Sequence, residues 1–382
     1  MSTLLESLDN SHVTFLIGRN GSGKSRRLRA LALEAIRRGR NVIAISNTVF
    51  DRLPSRHWDN YTKLSPAIGK KYALNAFKMA LCHESDEFRT FRQIEKVLHY
   101  AGYEPTITVQ INLKRGITQH EFWDRTSTIA AIDRSTVEYL LKILEEHDAF
   151  GRGSATITID FHSLSIFSAG IFNLIRNEGP LRRTNVLRNI LIHLYKDGRS
   201  YPLHGASSGE LTLLATYAFL STHLKDDTIV FIDEPENSLH PKWQSDYCRN
   251  LLDQFYLYRP KFVVATHAPL VVSGAMSDDV GSHVFVMPEE KEERVDAISI
   301  DGLLLEVFGV LPPASHYLSE KISQLLNELQ IGAVSLHDAY AELHRLSDIS
   351  YDKRQKNFLF EAQKLAEEIA NYRSTGKNKN ET

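Results

Sequence analysis

Apolar positions along the chain follow two rhythms. Short runs that are apolar almost throughout occupy 12–17 (HVTFLI), 41–46 (NVIAIS), 228–232 (TIVFI) and 261–265 (KFVVA). Runs of that length and composition read as strands buried on both faces of a parallel sheet. Elsewhere the period lengthens. Leu28, Leu31, Ala32, Ala35 and Ile36 recur at helical spacing, with Gly39 where a helix end favours glycine, so a helix is expected soon after the first strand. From residue 61 the character changes: helical patterns over 91–100 and 135–146 surround one extended piece, 106–111 (TITVQI). The alternation at 155–160 (ATITID) predicts a strand that returns the chain to the core. Residues 181–195 are expected to be helical, and 211–220 to form a strongly apolar helix behind a glycine- and serine-rich loop. Residues 283–287 and 295–300 pattern as a hairpin around the charged turn 288–291. From Leu303 the chain is expected to be helical in three or four pieces, ending in a polar tail at 377–382. The domain organisation expected is a head whose first part is 1–60, an inserted, mainly helical subdomain at 61–150, the second part of the head at 151–300, and a C-terminal helical region at 301–382.

Composition narrows the class. Hydrophobic residues at 42% and charged residues at 24% of 382 are those of an ordinary globular protein. Two cysteines, Cys82 and Cys248, are too few for a disulfide scaffold and fit a reducing cytosol. The start, MSTLLE, lacks the basic residues and apolar run of a signal peptide, and no run approaches the length of a membrane span. A cytoplasmic protein with no membrane partner is therefore expected. A net charge of -2 carries no whole-chain signal for nucleic acid. Basic clusters do occur at Arg26, Arg27 and Arg29, at Arg37, Arg38 and Arg40, at Lys114 and Arg115, and at Arg182 and Arg183. Solvated helix faces account for them better than DNA does, and DNA stays open as a partner.

The candidate chemistry begins at 18–25, GRNGSGKS, which fits the phosphate-loop pattern GxxxxGK[ST] in full. Gly18, Gly21 and Gly23, with Asn20 and Ser22 between them, let successive backbone N–H groups turn inward on a nucleotide's phosphates. Lys24 would reach the β- and γ-phosphates and the Ser25 hydroxyl would ligate Mg²⁺. The flanks agree: strand before, helix after, phosphate at the helix N-terminus. A second constellation ends the apolar strand 228–232. Asp233 would hold Mg²⁺, Glu234 would serve as general base for an attacking water, and Pro235 stops the strand.

In this order, residues 18–25, Ser207-Ser208-Gly209-Glu210, 229–234, Asn237-Ser238-Leu239-His240 and His267 resemble an ABC-type ATPase. The likeness is to the soluble branch that includes the SMC, RecF and OLD-family ATPases, and within it to the short bacterial AAA-family ATPases with DEPExxLHP and THxP motifs found in anti-phage systems. It covers about 1–60 and 150–300. It implies an α/β P-loop NTPase fold, an ABC ATPase head with an inserted helical subdomain and a C-terminal helical region, using ATP and Mg²⁺. Ser207, Ser208, Gly209 and Glu210 stand where the family has its signature loop, which contacts the γ-phosphate held by the other subunit. Ser208 replaces the usual second glycine and Glu210 the usual glutamine. Asn237 to His240 matches the loop that crosses the dimer interface, and His267 the switch histidine beside the γ-phosphate. Asn47 takes the place of the glutamine loop, where it would join Ser25 and Asp233 at the metal. The function implied is ATP hydrolysis in a nucleotide-sandwich homodimer, the ATPase subunit of an anti-phage system controlling an effector such as a nuclease or toxin. Alternatives are a DNA-repair or DNA-clamp ATPase like SMC and RecF, an OLD-like nuclease ATPase, and a transporter nucleotide-binding subunit.

Overall fold

The computed structural model describes residues 11–66, 71–82, 87–127, 129, 132, 134–163, 166–276, 282–293, 300–306, 308–311, 316–350 and 352–377. In chain order the strands are β1 (Val13–Ile17), β2 (Val42–Ser46), β3 (Tyr61–Leu64), β4 (Thr106–Leu113), β5 (Ser154–Asp160), β6 (Leu187–Lys196), β7 (Arg199–Pro202), β8 (Ile229–Asp233), β9 (Lys261–Thr266), β10 (Ser282–Val286) and β11 (Lys291–Glu293). The α-helices are α1 (Lys24–Arg37), α2 (Tyr72–Leu81), α3 (Glu87–Tyr100), α4 (Gln119–Thr126), α5 (Arg134–Glu146), α6 (Ala149–Arg152), α7 (Ile166–Arg176), α8 (Glu178–Arg183), α9 (Ser208–His223), α10 (Pro241–Phe255), α11 (Pro269–Met276), α12 (Ile300–Glu306), α13 (His316–Ile331), α14 (Leu336–Ile349) and α15 (Lys353–Lys377).

The main sheet runs β11-β10-β1-β9-β8-β2-β3, with β11 antiparallel and every other pairing parallel. Every residue of β1, β2 and β8 is buried, as a sheet covered on both faces requires. Alternate side chains serve opposite layers. Phe15, Ile17, Ile43, Ile45, Ile232 and Val264 point into the larger core, which α2, α3 and α9 complete. Leu16, Ala44, Phe231, Val263 and Ala265 point the other way, onto Leu28, Leu31, Ala32 and Ala35 of α1. That helix ends as expected: Gly39 at φ +74° lets its own N–H reach the Ile36 carbonyl and that of Arg40 reach the Ala35 carbonyl. Strand, loop, helix and a mostly parallel sheet with β9 between β1 and β8 make a P-loop NTPase fold, followed by a helical C-terminal region.

Four expectations differ from what is found. Residues 154–160 do form a strand, but it does not rejoin the main sheet. It pairs antiparallel with β4 in a second sheet ordered β5-β4-β6-β7. Residues 181–195 are helical only to Arg183; from Leu187 they are strand β6, whose Ile190, Ile192 and Leu194 alternate into the core. The leucine-rich composition suggested a helix, whereas the period of two fixed the strand. Tyr61–Leu64, assigned to the inserted subdomain, is the edge strand of the main sheet, parallel to β2. The expected hairpin exists between β10 and β11, but its second strand is Lys291–Glu293; residues 294–299 lie outside the described residues, and Ile300 opens α12.

The C-terminal helices have a core of their own, built from Leu305, Leu318, Ile322, Leu343, Leu346, Leu359 and Ala366. Within the head, α10 and α11 cross at near backbone contact. A Cβ on Gly274 would stand 1.8 Å from the Ser245 carbonyl oxygen. Gly274→Ala must therefore push the two helices apart, at a cost of about 1–3 kcal/mol or more. A melting temperature several degrees below wild type is the expected result; an unchanged one would mean the crossing yields freely.

Candidate functional site

The carboxyl ends of β1, β9 and β8 lie side by side, the place where an open α/β sheet collects ligand groups. After Ile17 the chain turns through Gly18 at φ +143° and enters α1 through Gly23 at φ +96°, conformations that a side chain would strain. A Cβ on Gly18 would also stand 2.9 Å from both the Met287 carbonyl oxygen and Ser22 Oγ, while nothing lies within 4 Å of one on Gly21 or Gly23. Arg19, Asn20 and Gly21 form the exposed rim. Lys24 is buried and folds back over the loop, donating to the Gly18 carbonyl at 2.8 Å and the Arg19 carbonyl at 3.1 Å. Burial lowers its pKa, against the opposing pull of Glu234, Glu236 and Asp233.

Asp233 ends β8, and Ser25 Oγ donates to its Oδ1 at 2.9 Å across 208 residues of sequence. Its Oδ2 is buried with no partner, as is Ser22 Oγ. Burial pushes the Asp233 carboxyl up to about 6, with Ser25 acting the other way and Glu234, Asp51 and Glu236 adding to the rise. A buried carboxylate with one oxygen unsatisfied beside a serine hydroxyl fits a divalent cation, the hard oxygen site that Mg²⁺ prefers. Ser25 and Asp233 are the residues that would hold it. Asn47 follows β2; its N–H donates to the Asp233 carbonyl at 3.2 Å and its side-chain amide lies 3.5 Å from the Pro235 carbonyl. It thus borders the Asp233 turn with its amide directed at backbone.

Glu234 adopts φ +50° and accepts from Asn237 Nδ2 at 3.1 Å. Its Oε1 lies 3.6 Å from His267 Nδ1. The left-handed turn at Glu234 folds the chain back, so that Glu236 points inward and is buried. Glu236 Oε1 accepts from the His267 backbone N–H at 2.8 Å and lies 3.0 Å from His267 Nδ1. Burial would raise the Glu236 carboxyl, but its contacts to His267 and Thr266 hold it below the usual range. The same contact raises the pKa of His267, with Glu234 adding to it. Glu236 received no role from sequence, where an acid after a proline looks like one more turn residue.

Ser207 and Glu210 have a local task. They form a capping box on α9: Glu210 N–H donates to Ser207 Oγ at 3.3 Å, and Ser207 N–H to Glu210 Oε2 at 2.8 Å. Burial would raise the Glu210 carboxyl, but the Ser207 backbone and hydroxyl, Lys196 and Tyr103 keep it low. Gly209 is a contact glycine, since a Cβ there would come 2.4 Å from the Ser238 carbonyl oxygen. Ser207, Ser208 and Gly209 line an open cleft of about 660 Å³ with Ser238, His240 and Trp243. No residue of 18–25 lines it, so the signature-like loop and the phosphate loop are separate surfaces of one chain.

Residues 118–273 match the family model described as "AAA domain, putative AbiEii toxin, Type IV TA system". That span holds Ser207 to Glu210, Asp233, Glu234, Glu236 and His267 but starts after the phosphate loop. The chain is similar to the "Retron Vc95 probable ATPase" of Vibrio cholerae serotype O1 biovar El Tor, 31% identical over 96 residues, which is 22% of this chain and 18% of that protein. A nucleotide-free ATP-binding cassette from an ABC transporter aligns over 74% of this chain and 80% of its own at 15% identity and a TM-score of 0.29. The Smc head domain with an extended coiled coil, bound to the C-terminal domain of ScpA and derived from Pyrococcus furiosus, aligns over 73% and 88% at 12% identity and a TM-score of 0.27. Among the described residues no helix is long and apolar enough to cross a membrane.

The Asp233 environment makes a signed prediction. With the folded-state pKa raised to about 6 from 3.8, ionised Asp233 destabilises the nucleotide-free protein above that pH, by about 3 kcal/mol at most. The penalty fades as pH falls towards the ordinary carboxylate value, because only the unfolded chain is then ionised. Asp233→Asn should raise the melting temperature at pH 8 and leave it nearly unchanged at pH 4. Equal effects at both pH values would remove the buried charge as the cause.

Proposed function

We propose that this chain binds ATP with Mg²⁺ on residues 18–25 and hydrolyses it, working as a head-to-tail homodimer whose opening and closing controls a separate effector. The observation that carries the reading is the meeting of Lys24, Ser25, Asp233, Glu234 and His267 at one sheet edge from three segments of sequence. Bound at Ser25 and Asp233, Mg²⁺ would offset phosphate charge. Lys24 supplies a second, partly desolvated positive charge. Glu234, partly exposed and oriented by Asn237, is placed to take a proton from water, and His267, steadied by Glu236, is placed to donate towards a γ-phosphate oxygen. The separate cleft at Ser207, Ser208 and Gly209 supports the sandwich arrangement, since it is open to receive the nucleotide of a second copy. The toxin–antitoxin description of the matched family model and the retron ATPase relative support a place in anti-phage defence, with a nuclease or toxin as the controlled partner.

Glu234→Gln should bind ATP as wild type does and turn over at least about 100-fold more slowly; near-normal turnover would remove Glu234 from its role. The dimer is tested by mixing variants. Ser207→Asp keeps the helix cap, as aspartate caps well, but sets a carboxylate against the partner's γ-phosphate. It should bind ATP without hydrolysing it. Mixed with inactive Lys24→Ala, it should regain up to half the wild-type rate per heterodimer, because one site then carries neither defect. No recovery on mixing, or loss of ATP binding in Ser207→Asp alone, would sink the sandwich arrangement.

A further inference from the structure

Positive charge concentrates on the α1 side of the main sheet in a way ATP hydrolysis does not use. Residues 19–60 contain nine Lys or Arg besides Lys24 of the phosphate loop, against three Asp or Glu, in a chain of net charge -2. Some of this is neutralised locally: Arg27 pairs with Glu290, Arg38 with Glu34, and Asp51 turns inward onto Lys63 at 2.6 Å. Asp59 remains on the surface beside His57. Arg26, Arg29, Arg52 and Arg56 are exposed, and among the described residues none of them pairs with a carboxylate. They share one surface. Arg29 Nη1 donates to the Arg52 carbonyl at 3.4 Å, and the Arg56 guanidinium stands 5.9 Å from the centre of the Trp58 ring, which meets Tyr61 edge-on.

Out of this surface projects a small apolar hook. Val49 is 73% exposed and Phe50 86%. The hook is held at its base: Thr48 N–H donates to Ser46 Oγ, Phe50 N–H to Thr48 Oγ1 and Leu53 N–H to Asp51 Oδ1. An exposed phenyl ring on a loop that carries Arg52 and Arg56 and is met by Arg29 suits a polyanion with flat apolar faces. Arginine matches phosphate oxygens bidentately, and an aromatic platform takes a base without regard to its identity. A protein groove could accept Val49 and Phe50, but it would have to be strongly acidic around its rim. Reading a duplex groove calls for a protruding helix or ribbon, and the hook is a single turn. We propose that Phe50, with Arg29, Arg52 and Arg56, binds single-stranded nucleic acid, the ring stacking on a base and the guanidiniums holding the flanking phosphates.

The test uses the full chain and fluorescence anisotropy with labelled oligothymidine, oligouridine and a duplex, each about 15 nucleotides long. The two single-stranded arms decide between DNA and RNA, and at least one should bind more tightly than the duplex. Phe50→Ala should weaken that binding about 5- to 100-fold, as loss of a stacking partner does, whereas Phe50→Trp should keep it. Replacing Arg29, Arg52 and Arg56 together by alanine should flatten the log–log salt dependence by about 2, at roughly 0.7 per phosphate contact. All these side chains are exposed, so melting temperatures should match wild type. Saturating ATP should not displace the oligonucleotide, since Phe50, Arg29, Arg52 and Arg56 are not among residues 18–25. Three results would each overturn the assignment: preference for the duplex, displacement by ATP, or a Phe50→Ala variant that changes oligomeric state while leaving nucleic-acid affinity intact. None depends on whether the chain hydrolyses ATP.

Discussion

Everything at the site depends on strand order. Because β9 lies between β1 and β8, the phosphate loop, His267 and the Asp233–Glu234 turn emerge next to one another. Only then can the Ser25 hydroxyl meet a carboxylate 208 residues away. That contact holds an acid in a place where burial opposes its charge, with one oxygen unsatisfied. Burial and the neighbouring Glu234, Asp51 and Glu236 oppose that charge, and the rest of the fold supplies the packing that keeps the acid in place.

The turn after β8 repeats the theme at smaller scale. A positive φ at Glu234 is uncommon for a residue with a side chain, and here it has a visible consequence. It sends Glu234 outward and Glu236 inward, so two acids that are near neighbours in sequence both come to His267 Nδ1, at 3.6 and 3.0 Å. One is partly exposed and held by Asn237; the other is buried and fixes the ring.

Much of this was legible beforehand. The buried strands, α1 with Gly39, and the residues that converge on the sheet edge follow from apolar runs and motif spacing, because both are local signals. What escaped was non-local or ambiguous. Leu187 to Lys196 has a helix-like composition, and only its alternation marks it as a strand. The second sheet could not be foreseen because β5 finds its partner in β4, some 45 residues back, rather than in the main sheet. Glu236 was invisible for a different reason: its burial depends on the backbone sign of Glu234. The capping role of Ser207 and Glu210 was in the S-x-x-E spacing all along, overshadowed by the resemblance of the same residues to a signature loop.

The sheet order also sets a clock on the ribosome. β1 is an apolar strand whose neighbours on both sides, β9 and β10, are made about 250 residues later, as the pairing of Phe15 with Val264 and Val284 shows. At about 5–20 residues per second, that interval is roughly 10–50 s. Throughout it the nascent N-terminal segment carries a strand with both edges unpaired, together with α1 and the loop before it. The second sheet and its helices, complete by Pro202, can form first. A chain built in this order keeps a wholly buried, mostly apolar strand without its sheet partners for most of its synthesis, until β9 arrives.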